Sequence, residues 1–389
     1  MKIANRMENL SPSVTMAITA LARELKAQGK DILSFSAGEP DFDTPEIIKQ
    51  AAIKAINDGQ TKYTAVEGII ATKQAIINKL KKDHNLDYKL DNILISNGAK
   101  HSLFNLFQVL VEEGDEVIIP APYWVTYPEQ VKFSDGVPVF IDTDDSTEFK
   151  ITPEQLKAAI TPKTKVLLLN TPSNPTGSVY TKEELIALGK VLEGTDIIVL
   201  SDEMYEKIIY NGKKFTAAAE VSEDMFKRTV TINGLSKAVA MTGWRFGYLA
   251  SPDVKLVKAL TKLQGQVTSN INTMTQYAAI PALEGDADAD IEMMRAAFEE
   301  RKNIVVKSFN EIKGLSTIDP DGAFYAFVNI KDVTNDSMKF CADLLEQKGV
   351  ALVPGLAFGT EGYVRFSFAT DLATIQEGIK RIKEFVENK

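Results

Sequence analysis

Between residues 90 and 250, short apolar runs alternate with amphipathic stretches, and this alternation restricts the fold more than any other feature of the chain. Strands are predicted at 92–96, 116–120, 137–141, 165–170, 197–201, 229–232 and 246–250, with helices at 100–112, 153–160 and 182–192 among them. Several strands are apolar at consecutive positions, as in Val166-Leu167-Leu168-Leu169. A strand covered on one face alternates, whereas one covered on both faces does not need to. The expectation is therefore an α/β fold with a mostly parallel, seven-stranded sheet sandwiched by helices. After residue 285 the pattern changes to a smaller α+β unit, with helices at 291–312 and 337–348, the apolar run 322–328, and a terminal helix from Asp371. Upstream, a helix over 13–28 ends at Gly29, and Thr44 is expected to cap a helix over 46–58 with Pro45 in its first turn. The 389 residues are expected to divide into a large unit, 45–285, and a small one made of 1–44 with 286–389.

In open α/β sheets ligands gather beyond the carboxyl ends of the strands, so the residues that follow each strand matter most. Asn97-Gly98-Ala99-Lys100 opens a helix whose free backbone N–H groups suit a phosphate. Tyr123-Trp124, Ser173-Asn174-Pro175-Thr176-Gly177, Asp202-Glu203 with Tyr205, and Ser236-Lys237 follow four further strands. Lys237 and Arg245 lie eight positions apart among small residues, between two apolar runs. A lysine beside core strands is costly unless it is paired or used chemically.

Taken singly, each of these residues has a plain alternative. Asn174-Pro175-Thr176-Gly177 reads equally as a turn, Asp202 as a helix cap, Trp124 as core and Lys237 as a solvated lysine. Arg365 is harder to dismiss, because it sits inside the apolar run Tyr363-Val364-Arg365-Phe366-Ser367-Phe368, and buried arginine normally meets an anion. His84 and His101 read as surface residues and Cys341 as a small core residue. One cysteine excludes an internal disulfide and fits a cytoplasmic protein. Two histidines make a His-rich metal site improbable, so no metal is expected. A net charge of −9 disfavours nucleic acid and anionic membrane as partners, and no apolar stretch is long enough to span a bilayer.

The ordered set Ala37-Gly38-Glu39-Pro40-Asp41-Phe42, Ser173-Asn174-Pro175-Thr176-Gly177, Ser201-Asp202-Glu203-Met204-Tyr205 and Ser236-Lys237 with Gly243-Trp244-Arg245-Phe246-Gly247 resembles the class I, fold-type I aminotransferases that use pyridoxal 5'-phosphate. It is most similar to the bacterial aspartate aminotransferases of subgroup Ib, and the resemblance runs essentially end to end. It implies that Lys237 bonds to the cofactor aldehyde and then shuttles the substrate proton. It further implies that Asp202 faces the pyridine nitrogen, that Tyr205 and Asn174 bond the ring oxygen, and that Trp124 stacks on the ring. Gly98, Ala99, Lys100, Ser236 and Arg245 would hold the phosphate, joined by Tyr63 from a neighbouring subunit of a homodimer. Arg365, with Asn174 and the Gly38 backbone, would grip the substrate α-carboxylate. Many relatives carry a hydroxyl where this chain has Gly234, so one phosphate contact differs. Lys100 and Thr15 match the positions that read a distal carboxylate, which points to aspartate and 2-oxoglutarate. Phe324 and Tyr325 near the same pocket keep prephenate or aromatic substrates open, and a β-lyase on the same scaffold is the other alternative.

Overall fold

Seven strands, β1 (Ile93–Asn97), β2 (Glu116–Ala121), β3 (Val137–Asp142), β4 (Thr164–Asn170), β5 (Ile198–Asp202), β6 (Thr229–Gly234) and β7 (Phe246–Ala250), form one sheet in the order β1-β7-β6-β5-β4-β2-β3. The structure is a computed structural model and describes residues 3–388. All pairings are parallel except those of β7, which runs antiparallel to both β1 and β6. The α/β sandwich read from the sequence is present, and its physical basis is visible in β4. Val166 and Leu168 enter one apolar core and Leu167 and Leu169 another, on the opposite face. Each position is buried, so alternation would have placed polar groups in a core.

Three further strands, β8 (Tyr325–Asn329), β9 (Val353–Pro354) and β10 (Tyr363–Ser367), make an antiparallel sheet in the order β9-β10-β8. The N-terminal segment joins this region: Leu33 and Ser34 pair in parallel with Val350 and Ala351. The helices that matter for the site are α1 (Val14–Ala27), α2 (Ile70–His84) and α3 (Ala99–Leu110). Ser13 caps α1 through Met16 N. The cap expected of Thr44 is absent. The helix Glu46–Asn57 is capped by Pro45 with no side-chain bond. The Thr44 hydroxyl instead donates to Ala240 O (2.7 Å) and accepts from Trp244 Nε1 (3.0 Å), tying the N-terminal segment to the loop after Lys237.

The reading of His84 as a surface residue is corrected. Its side chain is 6% exposed, with Nε2 2.9 Å from Glu206 Oε2 and Nδ1 3.0 Å from Glu220 Oε2. His101 is not a free surface group either, since its Nδ1 accepts from Asn97 N and its Nε2 is buried. Burial alone would lower the His84 pKa, but the bonds to Glu206 and Glu220 outweigh it and lift the group from 6.5 to about 9. A raised folded-state pKa stabilises fully below the unfolded value and is lost as pH climbs through the folded one. The difference in Tm between the native protein and His84→Gln should therefore be full at and below pH 6.5 and shrink from there through pH 9. A difference independent of pH would show that the ring is not held as a cation.

Candidate active site

The carboxyl ends of β4, β5 and β6, the start of α3, helix α1 and strand β10 enclose a cavity of about 530 Å³. Its wall draws Thr15, Gly38, Lys100, Trp124, Asn174, Asp202, Tyr205, Ser236, Lys237, Arg245 and Arg365 together from across the whole chain. Ala99 lines it too. Among the expected site residues, Gly98 and Tyr63 are not on the wall. Gly98 stands behind it as the N-cap of α3, at φ +79°, where an added Cβ would lie 2.6 Å from Arg245 Nη2. Tyr63 is 89% exposed and outside this chain's own cavity. Of the two aromatic residues expected near the pocket, Tyr325 lines it, while Phe324 is fully buried behind Tyr205 and Tyr325.

Backbone geometry prepares one end of the cavity for an anion. Helix α3 begins without a side-chain cap, and the amides of Ala99 and Lys100 make no hydrogen bond among the described residues. Gly247 on β7 lets the strand press against this turn, for its Cβ would lie 2.4 Å from Ala99 N. Gly234 is confined in the same way, with its Cβ position 2.6 Å from Phe246 O, so any hydroxyl side chain there would displace β7. Arg245 adopts φ +60°, a strained setting for a non-glycine residue. Among the described residues its guanidinium hydrogen-bonds only the Thr242 and Asn97 carbonyls.

The opposite end is organised by Arg365, which is 2% exposed. Nη1 donates to Asn174 Oδ1 (2.8 Å), Nη2 donates to Ser36 O (2.8 Å), and Nε is buried without a partner among the described residues. The guanidinium lies 4.4 Å from the Tyr325 ring centre, and its pKa is lowered by burial. Between the two ends, Lys237 Nζ donates to Gly38 O. Burial pulls this amine down to about 8; Arg365 and Arg245 add to the effect, while Glu39 and Asp202 oppose it. Lys100 is lowered by burial and by Arg245, and its Nζ lies 4.8 Å from the Trp124 ring centre. Lys100, Lys237, Arg245 and Arg365 form no ion pair among the described residues. In a chain of net charge −9, four unpaired cations around one cavity amount to a site for an anionic ligand.

Asp202 supplies the matching carboxylate. Burial lifts its pKa to about 6, against the bonds from Tyr127 OH (2.7 Å to Oδ2) and Met204 N (3.3 Å to Oδ1). Such a group gains most from a ligand that presents a positive N–H. The Tyr205 and Tyr325 hydroxyls are 2.9 Å apart. Tyr127, Ser36 and Glu39 were not anticipated from sequence. Tyr127 follows Trp124 by three positions, which is its one sequence link to the site, and the two rings meet edge-on at 5.4 Å. Thr15 Oγ1 lines the cavity, buried and without a partner.

An amine near neutrality flanked by an acid and an arginine fork, at the strand ends of a doubly covered sheet, is the machinery of an aminotransferase. The chain belongs to the class I and II aminotransferases, whose family model matches residues 30–382. It is 50% identical to an aspartate aminotransferase of Geobacillus stearothermophilus over 100% of this chain and 99% of that one. It is also 48% identical to an aspartate/prephenate aminotransferase of Nitrosomonas europaea, over 98% and 99% of the two chains. Its fold superimposes on an aspartate aminotransferase from Rhizobium meliloti with a TM-score of 0.96 at 41% identity, covering 100% and 99% of the chains. The architecture is fold type I.

Proposed function

We propose that the protein transfers the amino group of aspartate to 2-oxoglutarate with pyridoxal 5'-phosphate held in this cavity. The observation that carries the reading is that Lys100, Arg245 and Arg365, cations with no ion pair among the described residues, share one cavity wall with Lys237 and Asp202. The set matches a phosphate, a pyridine nitrogen and the two carboxylates of an acidic substrate. Identity of 50% over the full length with a relative named aspartate aminotransferase supports the substrate.

In this reading the amides of Ala99 and Lys100, with Ser236 and Arg245, bind the phosphate, and Gly98 and Gly247 allow the backbone to come close enough. Trp124 covers the ring face, and Tyr205 and Asn174 bond the ring oxygen. Asp202 keeps a proton on the ring nitrogen. When bound, the cofactor supplies the electron sink for the pair released at the substrate Cα. Lys237 Nζ takes the proton from that Cα, a task suited to an amine whose pKa lies near 8. Arg365 holds the substrate α-carboxylate as a fork, with Asn174 and the Gly38 backbone beside it. Lys100 and Thr15 bind the distal carboxylate.

A homodimer completes the site in this proposal: Tyr63, exposed and outside its own chain's cavity, would reach a partner's phosphate. We place the large unit at 45–285 and the small one at 1–44 plus 286–389, in a cytoplasmic enzyme. The seven-stranded sheet lies wholly within the first and the three-stranded sheet wholly within the second.

The test is a half-reaction screen of amino donors against protein loaded with cofactor, following loss of the visible band and assaying the oxo acid released. Aspartate giving oxaloacetate fastest is the expected result. No reaction with aspartate, or pyruvate plus ammonia instead, would overturn the reading. Prephenate is the second reading, because Tyr325 presents an aromatic wall. Lys100→Ala separates the two. Losing a charge-assisted bond worth about 1.5–3 kcal/mol should raise KM for aspartate on the order of 10- to 100-fold. Aromatic donors should change much less, and equal effects on both classes would remove Lys100 from the distal pocket.

A further inference from the structure

Behind the sheet, on the side away from the cavity, lies a second group of charges that the reaction as described does not use. Strand β5 ends at Asp202, and successive residues of a strand face opposite sides. Asp202 lines the cavity, whereas Glu203 is buried at the back. Glu203 Oε1 accepts from Ser201 Oγ (2.9 Å) and from Ala218 N (3.1 Å), and its Oε2 has no partner among the described residues. Two residues beyond Ala218, Glu220 Oε2 meets His84 Nδ1, and the other ring nitrogen of His84 meets Glu206 Oε2. Glu206 closes the turn through its own amide, which donates to Glu203 O (3.0 Å).

A circuit thus runs from Glu203 through Ala218, Glu220, His84 and Glu206 back to Glu203. It encloses the turn that carries Asp202 and Tyr205. The groups facing His84 are Glu206 and Glu220 by direct contact, Glu203 at longer range, and the Phe215 ring edge-on at 5.6 Å. Lys79 and Asp83 share its helix α2. Lys79 pairs with Glu206 and, at 3.2 Å, with Asp83, and Lys207 pairs with Asp83 at 2.8 Å. Asp83, His84 and Glu206 are spaced like metal ligands, but the ammonium groups of Lys79 and Lys207 already neutralise their carboxylates.

We propose that His84 is a positioning residue: as a rigid donor to two carboxylates it fixes, from behind the sheet, the turn that presents Asp202 and Tyr205 to the cofactor. An imidazolium donates from both nitrogens in one plane, which no flexible lysine reproduces. Glu203, lifted to about 7 by burial, tolerates the missing partner on Oε2 by holding a proton. This inference rests on the roles proposed for Asp202 and Tyr205.

The experiment compares the native holoenzyme with His84→Gln, Glu220→Gln and Lys207→Ala by hydrogen exchange of the amides of residues 203–208 and by steady-state kinetics. Leaving a buried carboxylate short of a donor should speed exchange of these amides on the order of 10-fold in His84→Gln, and less in Glu220→Gln. Over the same pair, kcat should fall about 10-fold while KM for aspartate, set by Arg365 and Lys100, stays within about 3-fold. Lys207→Ala, read at amides 203–206 because residue 207 itself is replaced, removes only the ion pair to Asp83 and should leave both readings unchanged. Native exchange in His84→Gln, faster exchange with unchanged kcat, or equal loosening in Lys207→Ala would each overturn the proposal. If the native protein itself turns over no amino acid, the functional reading fails. The amide comparison, which needs no turnover, then still decides whether His84 holds the turn.

Discussion

Replacing Lys237 with alanine should leave a protein that folds and retains cofactor phosphate contacts but turns over aspartate and 2-oxoglutarate extremely slowly. Proton transfer by a positioned base contributes on the order of 10²–10⁴-fold, and no other amine can substitute. Lys100 is the other lysine among the described residues of the cavity wall, yet it is drawn to the Trp124 ring and lies on a different element. Truncation also removes a buried group whose charged form is disfavoured by burial, by Arg365 and by Arg245. Stability of the cofactor-free protein should therefore hold or rise while activity disappears. The measurement is a steady-state rate beside a thermal melt of the same preparation. Turnover close to the native rate would refute the assignment of Lys237 as the base.

The second large effect belongs to Arg365. Its guanidinium is buried with only neutral partners, Asn174 Oδ1 and Ser36 O, and an idle Nε. A substrate carboxylate completes this fork. Arg365→Ala should cost about 2–5 kcal/mol of transition-state binding, which corresponds to about 30- to several-thousand-fold in kcat/KM. Arg365→Lys should recover little, because a point charge cannot reproduce two parallel donors. Arg365→Met should raise the Tm of the cofactor-free protein, since it exchanges an unpaired buried cation for an apolar side chain of similar length. A variant that loses stability without losing affinity for the α-carboxylate would assign Arg365 to the core instead.

What could be read from the sequence follows from where burial is symmetric. The inner strands of the large sheet were legible because both faces are buried and apolar, unlike the partly exposed edge strand Val137–Asp142, and the cavity residues because the sheet delivers its strand ends to one rim. Helix α2 was not legible: Lys73 and Lys79 are buried in it beside Ala75, Ile76 and Leu80, so charge falls on the inward face and spoils the apolar period. The helix Thr273–Glu284 buries Thr273, Thr275 and Gln276 as well as Ala278 and Leu283, so no apolar stripe stands out, and it contains Pro281, which reads as a break. His84 was misjudged for the same reason as α2. Its partners, Glu206 and Glu220, lie more than a hundred residues away, and no local pattern announces a buried ion pair. Tyr127 illustrates the limit within the site itself. Its bond to Asp202 spans 75 residues and depends on the exact height of two neighbouring elements.

The pairing of Leu33 and Ser34 with Val350 and Ala351, and the bond from Arg365 to Ser36 O across 329 positions, also set a schedule. During synthesis the large sheet is complete once residue 250 has emerged, more than a hundred residues before Arg365 exists. Until then the segment around Ser36 has no strand to join, and the cavity lacks the wall that grips a substrate. Closing so long a loop comes late in folding. The nascent chain therefore acquires its means of holding a cofactor well before its means of holding an amino acid.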